Sequence, residues 1–111
     1  MALAVEARRS GVWDHDLVSA RAQVSAALRA MHGFSVDEPV SYKQWLLALD
    51  KTDRRRLLSY NEELFRGGTE FNFEYRWCHP ATGERWLVAT GRMVRDAEGR
   101  PGCLIGVNRD I

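Results

Sequence analysis

The chain has 111 residues, 45% of them hydrophobic and 28% charged, and its 16 basic groups against 15 acidic ones leave a net charge of +1. That is the length of one domain with a core of its own, and the charge balance offers no electrostatic footprint for nucleic acid. No apolar run approaches the roughly 20 residues that span a bilayer, and Met1–Arg9 lacks the apolar centre of a signal peptide, so the expectation is a cytoplasmic protein without direct membrane contact.

Ala2–Arg9 reads as a short helix, an N-terminal cap over residues 1–10, ended by Ser10-Gly11. Gly11–Leu17 reads as a strand with Trp13, His15 and Leu17 on one side and Val12, Asp14 and Asp16 on the other. Val18–Arg21 turns the chain, and a very short strand at Ala22–Val24 pairs back. Ser25 is an N-cap for a helix over Ala26–His32, with Gly33 after its end. Ser35 and Glu38 form a capping-box pattern that Pro39 limits to a single turn. Ser41 and Gln44 open a clearer helix, in which Tyr42, Trp45, Leu46 and Leu49 share a stripe. Thr52 is expected to cap the last helix, Asp53–Arg66, whose Leu57, Leu58, Asn61, Leu64 and Phe65 are assigned to one face.

From Glu70 onward the pattern changes period. Phe71, Phe73, Tyr75 and Trp77 alternate with polar residues, which marks a strand. A turn-rich segment, Cys78–Glu84, leads into a second strand at Arg85–Arg95, and Asp96-Ala97-Glu98-Gly99 turns into a third at Gly102–Ile111. Strands at both ends with helices between them imply an α+β fold: a five-stranded antiparallel sheet with short helices inserted between strands 2 and 3. Residues 1–111 are read as a single domain, with residues 11–69 holding the first two strands and the helices and residues 70–111 the meander. Which side of the sheet carries the aromatic row is left open by the pattern.

Several stretches together resemble the PAS sensory domains with their C-terminal PAC motif. Gly11-Val12-Trp13-Asp14-His15-Asp16 is similar to the first strand of that family, Met31-His32-Gly33-Phe34-Ser35 to its helix end, and Tyr42-Lys43-Gln44-Trp45 to its Tyr-x-x-Trp helix. Glu74-Tyr75-Arg76, Glu84-Arg85-Trp86, Gly91-Arg92, Val94-Arg95-Asp96 and Gly106–Ile111 resemble its last three strands. Asp50-Lys51-Thr52-Asp53-Arg54 departs from the His-Pro-Asp-Asp-Arg common before the long helix, and the loop at Pro80–Gly83 departs from the usual Pro-Asp-Gly.

The resemblance implies a cleft between sheet and helices that holds haem, flavin, another small molecule or only side chains. Its candidate lining is Leu28, Met31, Trp45, Leu46, Leu49, Leu58, Asn61 and Phe65. In haem-binding members the axial His comes from the long helix, and Asp53–Arg66 contains none. His32 is best read as a capping or solvated residue. Light-sensing flavin members carry a reactive Cys near the helix that here spans Tyr42–Leu49, and this chain has none there. Trp45 could stack on a non-covalent flavin, although an aromatic on such a stripe is more often core. No cofactor is therefore predicted, a small-molecule ligand is left open, and neither haem nor a covalent flavin is expected.

Catalytic and metal readings find little support. Cys78 and Cys103 sit in no CxxC or paired-His spacing, so they read as reduced thiols. Asp14 with Asp16 and Glu62 with Glu63 read as solvated charge, as does Arg54-Arg55-Arg56, and no Ser–His–Asp set or phosphate loop can be assembled. The resemblance implies a non-catalytic sensory and dimerisation module of a bacterial signalling protein, a sensor histidine kinase first. A diguanylate cyclase or phosphodiesterase parent, or a pure interaction module without ligand, is the alternative. Expected partners are a second copy, met through the N-terminal helix and a sheet face, and an output domain following Ile111.

Overall fold

The computed structural model describes residues 10–111; the helix expected at Ala2–Arg9 lies outside them. The described elements are β1 (Ser10–Asp16), β2 (Arg21–Val24), α1 (Ala26–His32), α2 (Tyr42–Ala48), α3 (Lys51–Arg66), β3 (Glu70–His79), β4 (Gly83–Arg95) and β5 (Pro101–Asp110). The strands form one antiparallel sheet in the order β2-β1-β5-β4-β3, so the first and last thirds of the chain meet at the β1–β5 pair. The α+β arrangement with helices inserted between β2 and β3 is the one that the patterning implies.

Register settles which face is inside. Tyr75 stands opposite Leu87 and Phe73 opposite Ala89, and all four are buried together with Trp77. The aromatic row of β3 thus faces the helices, while Glu70, Asn72, Glu74 and Cys78 face out. On the same inner face, Gly11 lets α1 sit directly on β1: a Cβ there would lie 2.6 Å from Leu28 Cα. Gly106 does the same for an aromatic ring, since its Cβ would meet Trp13 Cζ2 at 2.5 Å.

The caps explain where helices begin. Ser25 Oγ accepts from Leu28 N at 3.2 Å and Ser41 Oγ from Gln44 N at 3.1 Å, as the sequence implies. The long helix differs from expectation. Asp50, not Thr52, is its N-cap, with the Asp50 carboxylate accepting from Thr52 N at 3.0 Å. An acidic cap two residues earlier starts α3 at Lys51 and satisfies an amide that Thr52 cannot reach. Ser35 N does donate to the Glu38 carboxylate, yet residues 36–38 form only a turn, as Pro39 dictates.

Two hairpin boundaries also shift. Cys78, His79, Gly83 and Glu84 belong to strands, leaving Pro80-Ala81-Thr82 as the turn, with Gly83 at φ 83°. His79 holds that turn: Nδ1 accepts from Ala81 N at 3.0 Å and from Thr82 N at 3.3 Å, while Nε2–H donates to Ala30 O at 3.0 Å.

Helix α3 closes the free edge of β3. Asn72 N donates to Tyr60 Oη at 3.0 Å, Arg76 N donates to Asp53 Oδ2 at 2.8 Å, and Arg56 donates to Glu74 O. An edge strand whose outward groups are so occupied is a poor template for pairing with another chain. Arg54, expected to be solvated, instead donates to Leu47 O at 2.9 Å and Leu49 O at 3.2 Å, capping the C-terminus of α2. No helix among the described residues is long and apolar enough to cross a membrane.

Candidate functional site

Between the three helices and the inner sheet face lies a cavity of about 100 Å³. Strands β1 and β2 supply Trp13, His15, Ala22 and Val24, and α1 supplies Leu28 and His32. Tyr42 and Trp45 come from α2, and Leu57, Tyr60, Asn61 and Leu64 from α3. The floor is Phe71, Phe73, Ala89, Leu104 and Asn108.

Of the eight residues expected to line a cleft, Leu28, Trp45 and Asn61 stand in its wall. Met31 and Leu49 are buried beside it in the main core, and Leu46 packs against that core. Leu58 and Phe65 do not reach it: they are 49% and 41% exposed. The reason is helical phase. Asp53, Leu57, Tyr60, Asn61 and Leu64 repeat at three and four residues and turn toward the sheet, so their neighbours Leu58 and Phe65 rotate about 100° away.

Periodicity alone does not find the polar centre of the site. His32, read as capping or solvated, is 2% exposed. Its Nδ1 lies 2.9 Å from Leu28 O and its Nε2 lies 2.7 Å from Tyr75 Oη. A carbonyl only accepts, so Nδ1 carries the proton and Nε2 accepts from the Tyr75 hydroxyl. Tyr75 Oη in turn accepts from Asn108 Nδ2 at 2.7 Å, and Asn108 Oδ1 accepts from the Trp13 indole N–H at 2.8 Å. The indole is a donor only, which fixes the orientation of the Asn108 amide. Every bond in this relay therefore runs one way, from Trp13 through Asn108, Tyr75 and His32 to Leu28. A fifth bond, Trp77 Nε1 to His32 O at 2.8 Å, pins the end of α1 to β3.

Burial sets the protonation of these groups. His32 is pushed down to about 4 because a charged imidazole would lose its hydration there, with the Leu28 carbonyl opposing and His79 adding to the shift. Burial raises the Tyr75 hydroxyl above its ordinary value, against the hydrogen bonds that favour the phenolate. His15, stacked on Tyr42 at 5.5 Å, is lowered by burial against the pull of Asp16 and Asp14. Tyr42 is raised by burial and accepts from Asn61 Nδ2. The Trp45 indole N–H is buried and makes no well-formed hydrogen bond among the described residues, although it lies near enough to the Tyr75 hydroxyl to favour its phenolate. Outside the cavity, Cys103 donates to Asp14 Oδ1 at 3.0 Å, and burial together with that carboxylate pushes the thiol up to about 11. That thiol is a poor nucleophile.

Neither haem nor flavin fits this cavity as it stands. Sites for molecules of that size run to about 300–1,000 Å³, and both ring nitrogens of His32 are already engaged, leaving no lone pair for iron. Helix α3 carries no His, and neither Cys lines the wall.

Comparison with known proteins places this architecture. Residues 21–108, well over half of the chain, match the family model described as the PAS fold. The sensor protein FixL of Bradyrhizobium diazoefficiens is 30% identical over 101 residues, which cover 91% of this chain and 20% of that protein. The blue-light-activated histidine kinase of Brucella ovis is 25% identical over 107 residues, covering 96% of this chain and 21% of the kinase. The chain thus spans about a fifth of the length of these relatives. Among solved structures, the N-terminal domain of a diguanylate cyclase with PAS/PAC sensor from Marinobacter aquaeolei superposes with a TM-score of 0.79 at 19% identity, over 91% of this chain and 94% of that one. A sensory box histidine kinase/response regulator from Burkholderia thailandensis does so at 0.79 and 19% identity, over 99% and 82%. The chain belongs to the PAS fold family, as a sensory module related to those of bacterial signalling proteins.

Proposed function

We propose that this chain is the input module of a multidomain bacterial signalling protein, with a sensor histidine kinase as the parent and no catalysis of its own. The observation that carries the reading is that the cavity wall and the hydrogen-bond relay share residues: His32 and Asn108 belong to both. Tyr75 joins them, so a molecule in the cavity that shifts α1 must stretch a bond that ends on β5. The strand then hands the change to an output domain beyond Ile111. This is a two-state element biased by what fills the cavity. A kinase parent is supported by the two curated relatives, and a diguanylate cyclase parent by the Marinobacter likeness. The cytoplasm is the compartment in which either output finds its nucleotide. Residues 1–111 act as one unit, and no resident haem or flavin is required.

A second reading, an interaction module without ligand, is favoured by the outer sheet face. Val12, Trp86, Val94 and Ile105 are 53%, 47%, 43% and 37% exposed there, a surface suited to a second copy. The N-terminal segment would extend that contact. Autophosphorylation of the full-length parent separates the two. Ala89→Leu fills the cavity and is expected to change output about fivefold, the effect of roughly 1 kcal/mol on a two-state equilibrium, with Trp86→Ser close to wild type. Wild-type output from Ala89→Leu together with a lost dimer and altered output in Trp86→Ser would move the function to the outer face.

A further inference from the structure

Among the described residues that wall the cavity there is no Asp, Glu, Lys or Arg. The groups there that can titrate are imidazoles and phenols, and the geometry holds His32 neutral, since Nδ1–H donates to a carbonyl and Nε2 accepts from a hydroxyl. A molecule bearing a formal charge would be stripped of water here with no carboxylate, ammonium or guanidinium in the wall to pair with, a penalty of several kcal/mol.

Size narrows the choice. An engineered cavity of about 150 Å³ accepts benzene, so the about 100 Å³ available here, two-thirds of that, suits about four non-hydrogen atoms. Polarity narrows it again. The Trp45 indole N–H is buried without a well-formed hydrogen bond, and its ring stands edge-on to the Tyr75 ring at a centroid distance of 5.2 Å, close enough to the hydroxyl to favour its phenolate. The wall therefore presents one donor, in a mostly apolar surface, that a ligand oxygen would satisfy.

We infer that the cavity takes a small uncharged molecule, mostly apolar and carrying one hydrogen-bond acceptor, of the ketone, ether or alcohol class, and turns away carboxylates, phosphates and polycyclic cofactors. This rests on the reading of the cavity as the input site and names its ligand class. Burying a neutral oxygen against the Trp45 N–H removes an unsatisfied donor, whereas an anion would exchange it for an unpaired charge.

The test uses acetone and acetate, which have the same number of non-hydrogen atoms and differ in charge, with flavin mononucleotide as the large probe. The chain holds four tryptophans, so the indole N–H region of a ¹H–¹⁵N spectrum is simple to assign. Acetone at neutral pH is expected to move the Trp45 indole proton downfield and saturably, with the Trp86 indole unmoved. The carboxylate and the flavin are expected to leave all four in place. Ala89→Leu should abolish the shift, and Val24→Phe serves if that variant does not fold. A saturable shift with the carboxylate or the flavin that Ala89→Leu removes overturns the ligand class and leaves the cavity as the input site. Absence of any saturable shift with acetone also overturns it. Binding as expected, with Ala89→Leu leaving the parent's output unchanged, keeps the ligand class and sinks the input reading.

Discussion

The inner face of the sheet has a packed half and a hollow half. On the β3–β4 side, Tyr75, Trp77 and Leu87 interlock with Met31 and Leu49, while Phe73, Ala89 and Leu57 form the border with the cavity. Toward β1 and β2, the inward residues of β2 shrink to Ala22 and Val24, and the helices bridge across them to leave the cavity. The difference teaches what holds the space open. Large aromatics at period two make a wall that fixes the distance between sheet and helices, and small residues at the opposite edge of the sheet cannot fill that distance. The relay crosses from one half to the other, with Tyr75 in the packed side and Asn108 and Trp13 in the hollow one.

Removing the shared member should break the contrast most severely. Tyr75→Ala opens a large void in the packed half and orphans His32 Nε2 and Asn108 Nδ2, and it is expected to cost about 4 kcal/mol or more in urea unfolding. A loss under about 1 kcal/mol would mean that the two halves are not braced through this side chain. Acid acts on the same junction. His32 titrates near 6.5 when unfolded and near 4 in the fold, so the unfolded chain takes up the proton first as pH falls. Stability is then complete above about pH 6.5 and declines as pH drops toward 4, by about 3 kcal/mol. Urea titrations of the wild type and of His32→Asn across that window should converge at acid pH, and a parallel pair of curves would contradict the assignment. The mildest comparison concerns two indoles. Trp77→Phe loses the bond to His32 O and is expected to cost about 1 kcal/mol beyond its packing. Trp45→Phe removes a donor that makes no well-formed hydrogen bond, so its hydrogen-bonding cost is expected near zero. Equal losses in the two would indicate that the Trp45 donor is satisfied in solution.

The packed half was legible in the sequence because its signal is periodic. Alternation at Phe71–Trp77 and the stripe Tyr42, Trp45, Leu46, Leu49 are repeated matches to a template, and each added residue reinforces the same reading. The hollow half was legible only in part. A cavity is defined by what small residues fail to fill, and Ala22 and Val24 look alike whether they are packed or not. Leu58 and Phe65 misled because a helix of sixteen residues offers enough apolar positions for more than one stripe, and only the sheet decides which is buried. His32 was missed because its partner is 43 residues away, and a lone His at a helix end resembles a cap. Asn108 did carry a trace: it is polar at an inward position of β5, in step with Leu104 and Gly106, and a polar residue there needs a buried partner.

The central claim is that the two halves communicate through one directed chain of hydrogen bonds, and Tyr75→Phe tests it with the least disturbance of packing. The substitution removes one oxygen and keeps the ring. In ¹H–¹⁵N spectra the account predicts that the Trp13 indole proton and the Asn108 side-chain amide both shift and that the Asn108 amide exchanges faster, although Trp13 never touches Tyr75 through the relay except by way of Asn108. Shifts confined to β3 and α1, with the Trp13 and Asn108 signals at their wild-type positions, would contradict it.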